Sequence, residues 1–523
     1  MNVHHELLKS TRSMKKLEGP ACDCRHPSEP SSHLGQDAGR GRPVSNLTET
    51  PRPRGALQNR IFIEVKLAII LWLWLLYAPT ANSQTTYQPN WDSVDRRETP
   101  QWFQDAKFGI FIHWGLFSVP AWGPVKDAAV YDKYAEWYWW KLLDPESPVN
   151  AMFRKFHRDT YGDKTKYEDF VNGFKCEMFE PDDWADILKG SGARYVVLTS
   201  KHHEGFCLWP SKQSWNWNAV DVGPHRDLAG DLIQAVRNKG LRMGYYYSLY
   251  EWFNPLYRSD VNRYVDEHMI PQMKDLVTRF KPDLLWTDGE WDYPSETWKS
   301  AEFLAWLYNE SAVKDEIAVN DRWGKETRSK HGGYYTTEYG LVHGQDVKEG
   351  LQHPWEECRG IGGSFGYNRN ENLDSYATSE QLVHLLIEKV AKGGNLLLNI
   401  GPTADGRIPV IMQQRLRDMG DWLKLNGEAI YGTRSWSGAT QSKSDKIYFT
   451  RKGNDLYLIC TMFPTASITV SQVNPPGNVQ LLGFAGKVQY KAGKNSIVIE
   501  PPVVSPATNP CQYAWVFKLT GAL

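Results

Sequence analysis

The sequence reads as a (β/α)8-like barrel followed by a C-terminal β-sandwich, and three observations carry that reading. Between about residues 100 and 430, short runs of β-forming residues alternate with longer helical stretches, the pattern of parallel strands joined by crossover helices. Six of the short runs are nearly continuous in apolar or aromatic residues, as strands buried on both faces are. After about residue 433 the helical pattern stops and only period-two alternation continues.

In chain order the strong strands are Phe108–Gly115 (FGIFIHWG), Tyr195–Lys201 (YVVLTSK), Leu241–Ser248 (LRMGYYYS), Asp283–Asp288 (DLLWTD), Ile317–Asp321 (IAVND) and Asn395–Ile400 (NLLLNI). Two weaker runs, Tyr334–Glu338 and Trp355–Ile361, bring the count to eight. Between them, Asp182 and Asp183 place acids in the first turn of a helix that continues through Leu188, where they oppose the positive end of its dipole. Asp227–Lys239 puts Leu228, Leu232, Ile233 and Val236 on one face, and Thr378–Lys392 does the same with Leu382, Leu385, Leu386 and Val390. Thr378 with Gln381 offers a capping box, and Gly393-Gly394 ends the helix before the last strand. In such a barrel the chemistry is expected just after the strand ends. The later runs (KIYFTRK, DLYLICTMF, SITVSQV, NVQLLGF, KVQYKAG, SIVIEPP, YAWVFKL) form the sandwich, with Gly453-Asn454-Asp455 as a hairpin turn.

Ahead of the barrel, residues 1–60 are rich in Pro, Gly, Ser and Arg without apolar periodicity, a composition that cannot bury a core and is read as a disordered extension. Residues 61–83 resemble a signal peptide: Lys66, the apolar run Leu67–Tyr77, then Ala81-Asn82-Ser83 as a small-residue cleavage site. Eleven apolar residues fall short of the roughly 20 that a spanning helix needs, so no stable membrane span is expected. The position is unusual, about 60 residues from Met1. The expected domains are therefore 1–60, 61–83, an 84–432 catalytic barrel and a 433–523 sandwich, with entry to the secretory pathway and a secreted or lysosomal destination. Five cysteines follow residue 83, without a CxxC pair, which leaves room for one or two disulfides of undetermined pairing. Asn309-Glu310-Ser311 is a glycosylation sequon.

Composition narrows the partner. Lys plus Arg number 60 against 61 for Asp plus Glu, so the basic excess that holds a nucleic-acid backbone is absent. The chain carries 23 Trp and 26 Tyr, and rigid rings with polar edges suit a sugar, whose hydroxyls need polar contacts and whose apolar face stacks on a ring.

Polar and aromatic residues cluster where strands end: His113-Trp114, His202-His203-Glu204, Tyr246 with Glu251-Trp252, Trp286-Thr287-Asp288-Gly289-Glu290-Trp291, and Asn320-Asp321-Arg322-Trp323. His113, His202 and Asp288 are the competing set for a metal. Against a metal, neighbouring His202 and His203 point to opposite sides of an extended chain, and no HxH or HExxH supplies two ligands from one element. No GxSxG marks a serine nucleophile. Cleaving a glycoside instead requires two carboxyl groups, one ionised and one protonated. Asp288, ending an apolar strand and followed by Gly289, is the best nucleophile; Glu338 or Glu356, both near strand ends, supplies the partner.

FGIFIHWGLFSVPAW, AEWYWW, FEPDDWADILKGSGARYVVLTSKHHEGFCLWPS, GYYYSLYEW, LLWTDGEW, VNDRWG and GGNLLLNIGPTADG together resemble the α-L-fucosidases of glycoside hydrolase family 29, over about residues 90–435. The resemblance implies an exo-acting retaining enzyme that removes terminal α-L-fucose from glycans or glycoproteins, needs no cofactor or metal, and leaves homo-oligomerisation open. It implies Asp288 as nucleophile. It implies that His113, Glu136, Trp137, His202, His203, Tyr246, Trp286 and Arg322 bind the fucose hydroxyls or enclose its methyl group. Glu338, sixteen residues after Arg322, is the favoured acid/base; Glu356, in a PWEEC segment where animal relatives carry KWExC, is the alternative. A fucose-binding protein without turnover and an enzyme for α-galactosides are the competing readings.

Overall fold

Eight parallel strands form where the sequence places them. The computed structural model describes residues 86–126, 128–342, 345–346, 353–438 and 446–523. The extension 1–60 and the signal-like segment 61–83 lie outside the described residues. The strands are β1 (Phe108–Ile112), β2 (Tyr195–Lys201), β3 (Arg242–Ser248), β4 (Leu284–Asp288), β5 (Ala318–Val319), β6 (Tyr335–Glu338), the short pair β7 (Leu341–Val342) and β8 (Gln345–Asp346), β9 (Trp355–Gly360) and β10 (Asn395–Ile400). Parallel pairing runs β5-β4-β3-β2-β1-β10-β9-β6. The cycle is completed by one parallel bridge, Asn320↔Tyr334, between the ends of β5 and β6. Gly333 makes that approach: a Cβ there would stand 1.8 Å from the Val319 carbonyl oxygen.

Crossover helices cover six of the connections and flanks, among them Pro181–Gly190, Leu228–Asn238, Ile270–Phe280 and Ser379–Ala391. The Asp227 side chain caps the second of these at Gly230, and Thr378 and Gln381 form the expected capping box on the fourth. Leu228, Leu232, Ile233 and Val236 are all buried. The links β5 to β6 and β6 to β9 contain no helix among the described residues, so the ring of strands is complete where the ring of helices is not.

Period-two geometry divides each strand between two cores. Ile110, Val196 and Leu285 face the helices; Phe111, Val197, Tyr246, Trp286, Cys358 and Leu397 fill the barrel. Each such large side chain contributes about 1.5–3 kcal/mol by leaving water.

The C-terminal strands are β11 (Arg434–Ser435), β12 (Ile447–Lys452), β13 (Asp455–Cys460), β14 (Ile468–Ser471), β15 (Asn478–Leu481), β16 (Gln489–Ala492), β17 (Ser496–Glu500) and β18 (Trp515–Thr520). They form two antiparallel sheets, β11-β12-β13-β18-β15 and β14-β17-β16. Leu456, Leu458 and Phe517 of one share a core with Val470, Ile497 and Ile499 of the other. The sandwich docks on the barrel through Trp422 Nε1, which donates to the Ala514 carbonyl at 2.9 Å, and His384 Nε2, 2.8 Å from that of Tyr513.

One expectation is revised. Cys176, Cys207, Cys358, Cys460 and Cys511 are all free thiols, the first four buried, so no disulfide links the described residues. The sequon Asn309 uses both ends of its amide on the backbone of Tyr87, accepting from its N–H at 2.9 Å and donating to its carbonyl at 2.8 Å. That side chain is a structural clamp.

Candidate active site

Asp288 is the last residue of β4, and the chain turns away at once through Gly289 at φ +73°, a left-handed conformation that glycine adopts without strain. A Cβ at Gly289 would also meet Tyr250 Cβ at 2.6 Å. This places the carboxyl at the mouth of the barrel. Arg322 Nη1 donates to Asp288 Oδ1 at 2.6 Å, Tyr246 O–H donates to Oδ2 at 3.1 Å, and His203 Nε2 stands 3.8 Å from Oδ2. Burial alone would raise this acid, but the Arg322 guanidinium, with His203 and then Arg328 beside it, outweighs burial and holds the carboxyl well below the usual range. Asp288 is ionised.

Glu338 ends β6 at the same mouth. Its Oε2 lies 3.6 Å from Arg322 Nη2, and its Oε1 accepts from Tyr134 O–H at 2.8 Å. Burial raises its affinity for a proton, Arg322 opposes and the Asp288 charge adds to it, so the net shift is upward. One guanidinium thus touches two carboxyl groups of opposite tendency. Arg322 is itself oriented by Thr336, whose Oγ1 accepts from its Nε at 3.0 Å and donates to Asp321 at 2.7 Å.

Glu356 sits elsewhere. It is the second residue of β9, in register with Thr336, whereas Glu338 is in register with Cys358 two residues further along. At 3.3 Å per residue it lies about 7 Å deeper in the barrel. It has no exposed surface, accepts from Trp286 Nε1 at 3.0 Å and from Tyr195 O–H, and burial pushes its carboxyl up to about 7.

Trp286 is the floor between them. It is 1% exposed, with Phe111 against one side, Tyr246 stacked at 5.6 Å and the Arg322 guanidinium 4.2 Å above the ring.

The histidines are set by their hydrogen-bond partners. Asn399 Nδ2 donates to the Phe365 carbonyl, which turns its Oδ1 toward His113 Nδ1 at 2.7 Å. Ser248 donates to the Tyr250 carbonyl and so accepts from His203 Nδ1 at 2.7 Å. In both rings the proton is on Nδ1 and Nε2 is left as an acceptor. Burial pushes His113 down to about 3 and His203 well below its usual value, so both are neutral. His202 Nδ1 and Glu204 Oε2, 3.4 Å apart, and Trp252 Nε1 are buried polar atoms with no hydrogen-bond partner among protein groups. Glu136 Oε2 accepts from Gly366 N–H at 2.9 Å and Ser364 at 3.0 Å, and burial raises its carboxyl.

Trp137, Trp252 and Trp291 make an indole wall around His203, with ring centroids 5.3, 5.3 and 5.4 Å from it. The residues singled out from the sequence therefore converge, apart from Glu356. Sequence reading missed Tyr134, Phe365, Asn399, Arg328 and the place of Trp252 and Trp291 in the wall. The two tryptophans had a signal, since both follow strand ends. Among the described residues no cluster of three His, Cys, Asp or Glu is arranged to hold a metal ion.

Two carboxyl groups shifted in opposite directions, standing over an indole floor at the open end of a barrel, are the equipment for breaking a glycosidic bond. Fold and site together define a glycoside hydrolase. The family profile described as Alpha-L-fucosidase matches residues 75–428, and the one described as Alpha-L-fucosidase C-terminal domain matches residues 440–520. The tissue alpha-L-fucosidase of Homo sapiens is 42% identical over 450 residues, covering 83% of this chain and 92% of that protein. The plasma alpha-L-fucosidase of Rattus norvegicus is 44% identical over 476 residues, 87% of this chain and 99% of that one. Among solved structures, Thermotoga maritima alpha-fucosidase in complex with fucose is 38% identical with a TM-score of 0.70, over 84% of this chain and 100% of that one. The chain belongs to the α-L-fucosidases of glycoside hydrolase family 29.

Proposed function

We propose that the enzyme is an exo-acting, retaining α-L-fucosidase in which Asp288 is the nucleophile and Glu338 the acid/base. The observation that carries the reading is the Arg322 guanidinium shared by Asp288 and Glu338, 2.6 and 3.6 Å away, with one acid held ionised and the other pushed toward its protonated form. Two carboxyls on one guanidinium suit the retaining route, which needs its acid/base and its nucleophile side by side. Asp288 attacks the anomeric carbon as Glu338 gives its proton to the leaving oxygen. Glu338 then removes a proton from water as that water displaces Asp288. The Nε2 atoms of His113 and His203 accept hydrogen bonds from sugar hydroxyls, Glu136 accepts another, and the indole wall with Trp137 covers the C6 methyl and ring face. His202, Tyr246 and Trp286 complete the enclosure.

Terminal fucose on glycans or glycoproteins is the substrate class. Relatives named tissue and plasma fucosidases, together with the signal-like segment, support a secreted or lysosomal enzyme processed near residue 83, with catalytic and sandwich domains meeting near residue 433. Among the described residues no helix is long and apolar enough to cross a membrane.

The test is 4-nitrophenol release from its α-L-fucoside. Asp288→Gly should lower kcat on the order of 10⁴-fold, and added azide, filling the space of the lost carboxylate, should yield β-fucosyl azide. Turnover retained in Asp288→Gly would refute the assignment. Fucose binding without release by the wild-type protein would favour the binding-protein reading, and preference for the α-galactoside the other.

A further inference from the structure

A second arginine reaches the nucleophile from a loop outside the motifs. Arg328 Nη2 lies 3.8 Å from Asp288 Oδ1, the oxygen that Arg322 already contacts. Its other edge is fixed: Arg328 Nε donates to Glu290 Oε1 at 2.5 Å, and Glu290 has no exposed surface. The loop is folded to deliver it. Thr327 Oγ1 accepts from Trp323 and Gly324 N–H and donates to the Asp321 carbonyl, Ser329 N–H donates to Asp321 Oδ2 at 2.9 Å, and Ser329 holds a left-handed φ of +59°. Such a conformation is strained in a residue other than glycine, so the surroundings must impose it. A surface arginine would need none of this. A buried guanidinium paired with a buried carboxylate is expensive to assemble, and its free edge points at the reacting carboxyl.

We propose that Arg328, clamped by Glu290, is a positioning residue for the catalytic pair: with Arg322 it supplies a second positive charge that sets the pH range over which Asp288 is ionised while Glu338 carries its proton. This rests on the roles given above to Asp288 and Glu338. The groups facing Asp288 are Arg322, Arg328, His203 and Tyr246, with His113 close by; those facing Glu338 are Arg322, Tyr134 and Asp288, with Arg328, Tyr131, Tyr339 and Cys358 near it. Of the two cations, only Arg328 has a charged partner of its own outside the pair.

The experiment is the pH dependence of kcat/KM in Arg328→Lys, Arg328→Gln and the double variant Arg328→Gln with Glu290→Gln. The double variant leaves no orphaned buried charge and so keeps the fold if Arg328→Gln does not. Loss of a positive charge at this distance should move the acidic limb, set by Asp288, to higher pH by about one to two units and the basic limb, set by Glu338, upward by less. Arg328→Lys should return both limbs toward their wild-type positions. A uniform loss of kcat/KM with both limbs unmoved, or limbs that Lys fails to restore, would overturn the proposal. Azide trapping in Asp288→Gly reads the nucleophile separately, so failure here is distinguishable from failure of the assignment itself.

Discussion

Trp286 donates its indole N–H to Glu356 at 3.0 Å, and the ring lies between that carboxyl and the mouth of the barrel. Glu356 is thereby tied to the floor of the site, deeper in the barrel than Glu338, and on the assignment proposed above it supports that floor. Its folded-state affinity for a proton is raised to about 7 from an ordinary value of 4.5, so the stability it allows is complete below pH 4.5 and is lost as pH rises through 7. Glu356→Gln should keep kcat/KM within about threefold and remove up to about 3 kcal/mol of that pH-dependent penalty above pH 7. Activity and thermal midpoints of the two proteins between pH 4 and 9 check this; a loss comparable to that of Glu338→Gln would return Glu356 to the chemistry.

The strands and their order of use were legible because buried parallel strands are apolar runs, and polar residues at their ends stand out against them. Asp288 and the histidines stood out for that reason. Glu338 and Glu356 were not separable by pattern, since both lie in or beside weak strands, and only the family resemblance favoured Glu338; what distinguishes them in the fold is depth, two residues of register that only the paired sheet defines. Asn399 and Phe365 act on His113 from more than 250 positions away, and Arg328 returns through a loop with no periodicity, so neither leaves a local trace. The clamp that Asn309 makes on the Tyr87 backbone, 222 residues distant, likewise leaves no local trace.

Tyr134 is the hydrogen-bond donor to Glu338, and a donor favours the ionised form of a carboxyl. Tyr134→Phe should raise the basic limb of kcat/KM by roughly half a unit to one unit. On the double displacement proposed above, it should also leave less of Glu338 ionised at a given pH and so slow the second half-reaction, where that residue would act as a base. The pH profile of kcat/KM with a substrate whose leaving group needs protonation reads the limb, and kcat with an activated leaving group reads the second half-reaction; an unmoved basic limb would argue against Glu338 as the acid.

Asn399 sets which nitrogen of His113 carries the proton. Asn399→Asp replaces a neutral acceptor by an anion 2.7 Å from Nδ1, which favours imidazolium and converts Nε2 from acceptor to donor. Binding of a sugar hydroxyl that must donate to Nε2 is then lost. We expect KM to rise and kcat/KM to fall on the order of tenfold to a hundredfold, about 1.4–2.7 kcal/mol, with partial recovery as pH is raised and the ring is deprotonated. Kinetics from pH 5 to 8 check it, recovery with pH being the feature that a packing defect would not reproduce.

The indole wall depends on a charge pair beneath it. Lys201 Nζ lies 2.6 Å from Glu251 Oε1, which His268 Nε2 also approaches at 3.0 Å, while Asn254 donates to Glu251 Oε2 at 2.7 Å. Both partners are buried, and Glu251 immediately precedes Trp252. Burial alone would raise Glu251, but Lys201 and His268 outweigh it and hold it well below the usual range, so its contribution is present above the unfolded carboxylate range and is lost only on strong acidification. Lys201→Met would leave that carboxylate buried and uncompensated, a loss of about 3–5 kcal/mol. The double change Lys201→Met with Glu251→Leu should recover most of the stability, because no charge is then stranded, yet KM should stay raised, since the segment carrying Trp252 then loses its side-chain anchor and keeps only backbone bonds such as that from Trp252 N–H to the His203 carbonyl at 3.0 Å. Thermal unfolding and steady-state kinetics on the three proteins separate the two effects, and a double variant with wild-type KM would show that the wall stands without the pair.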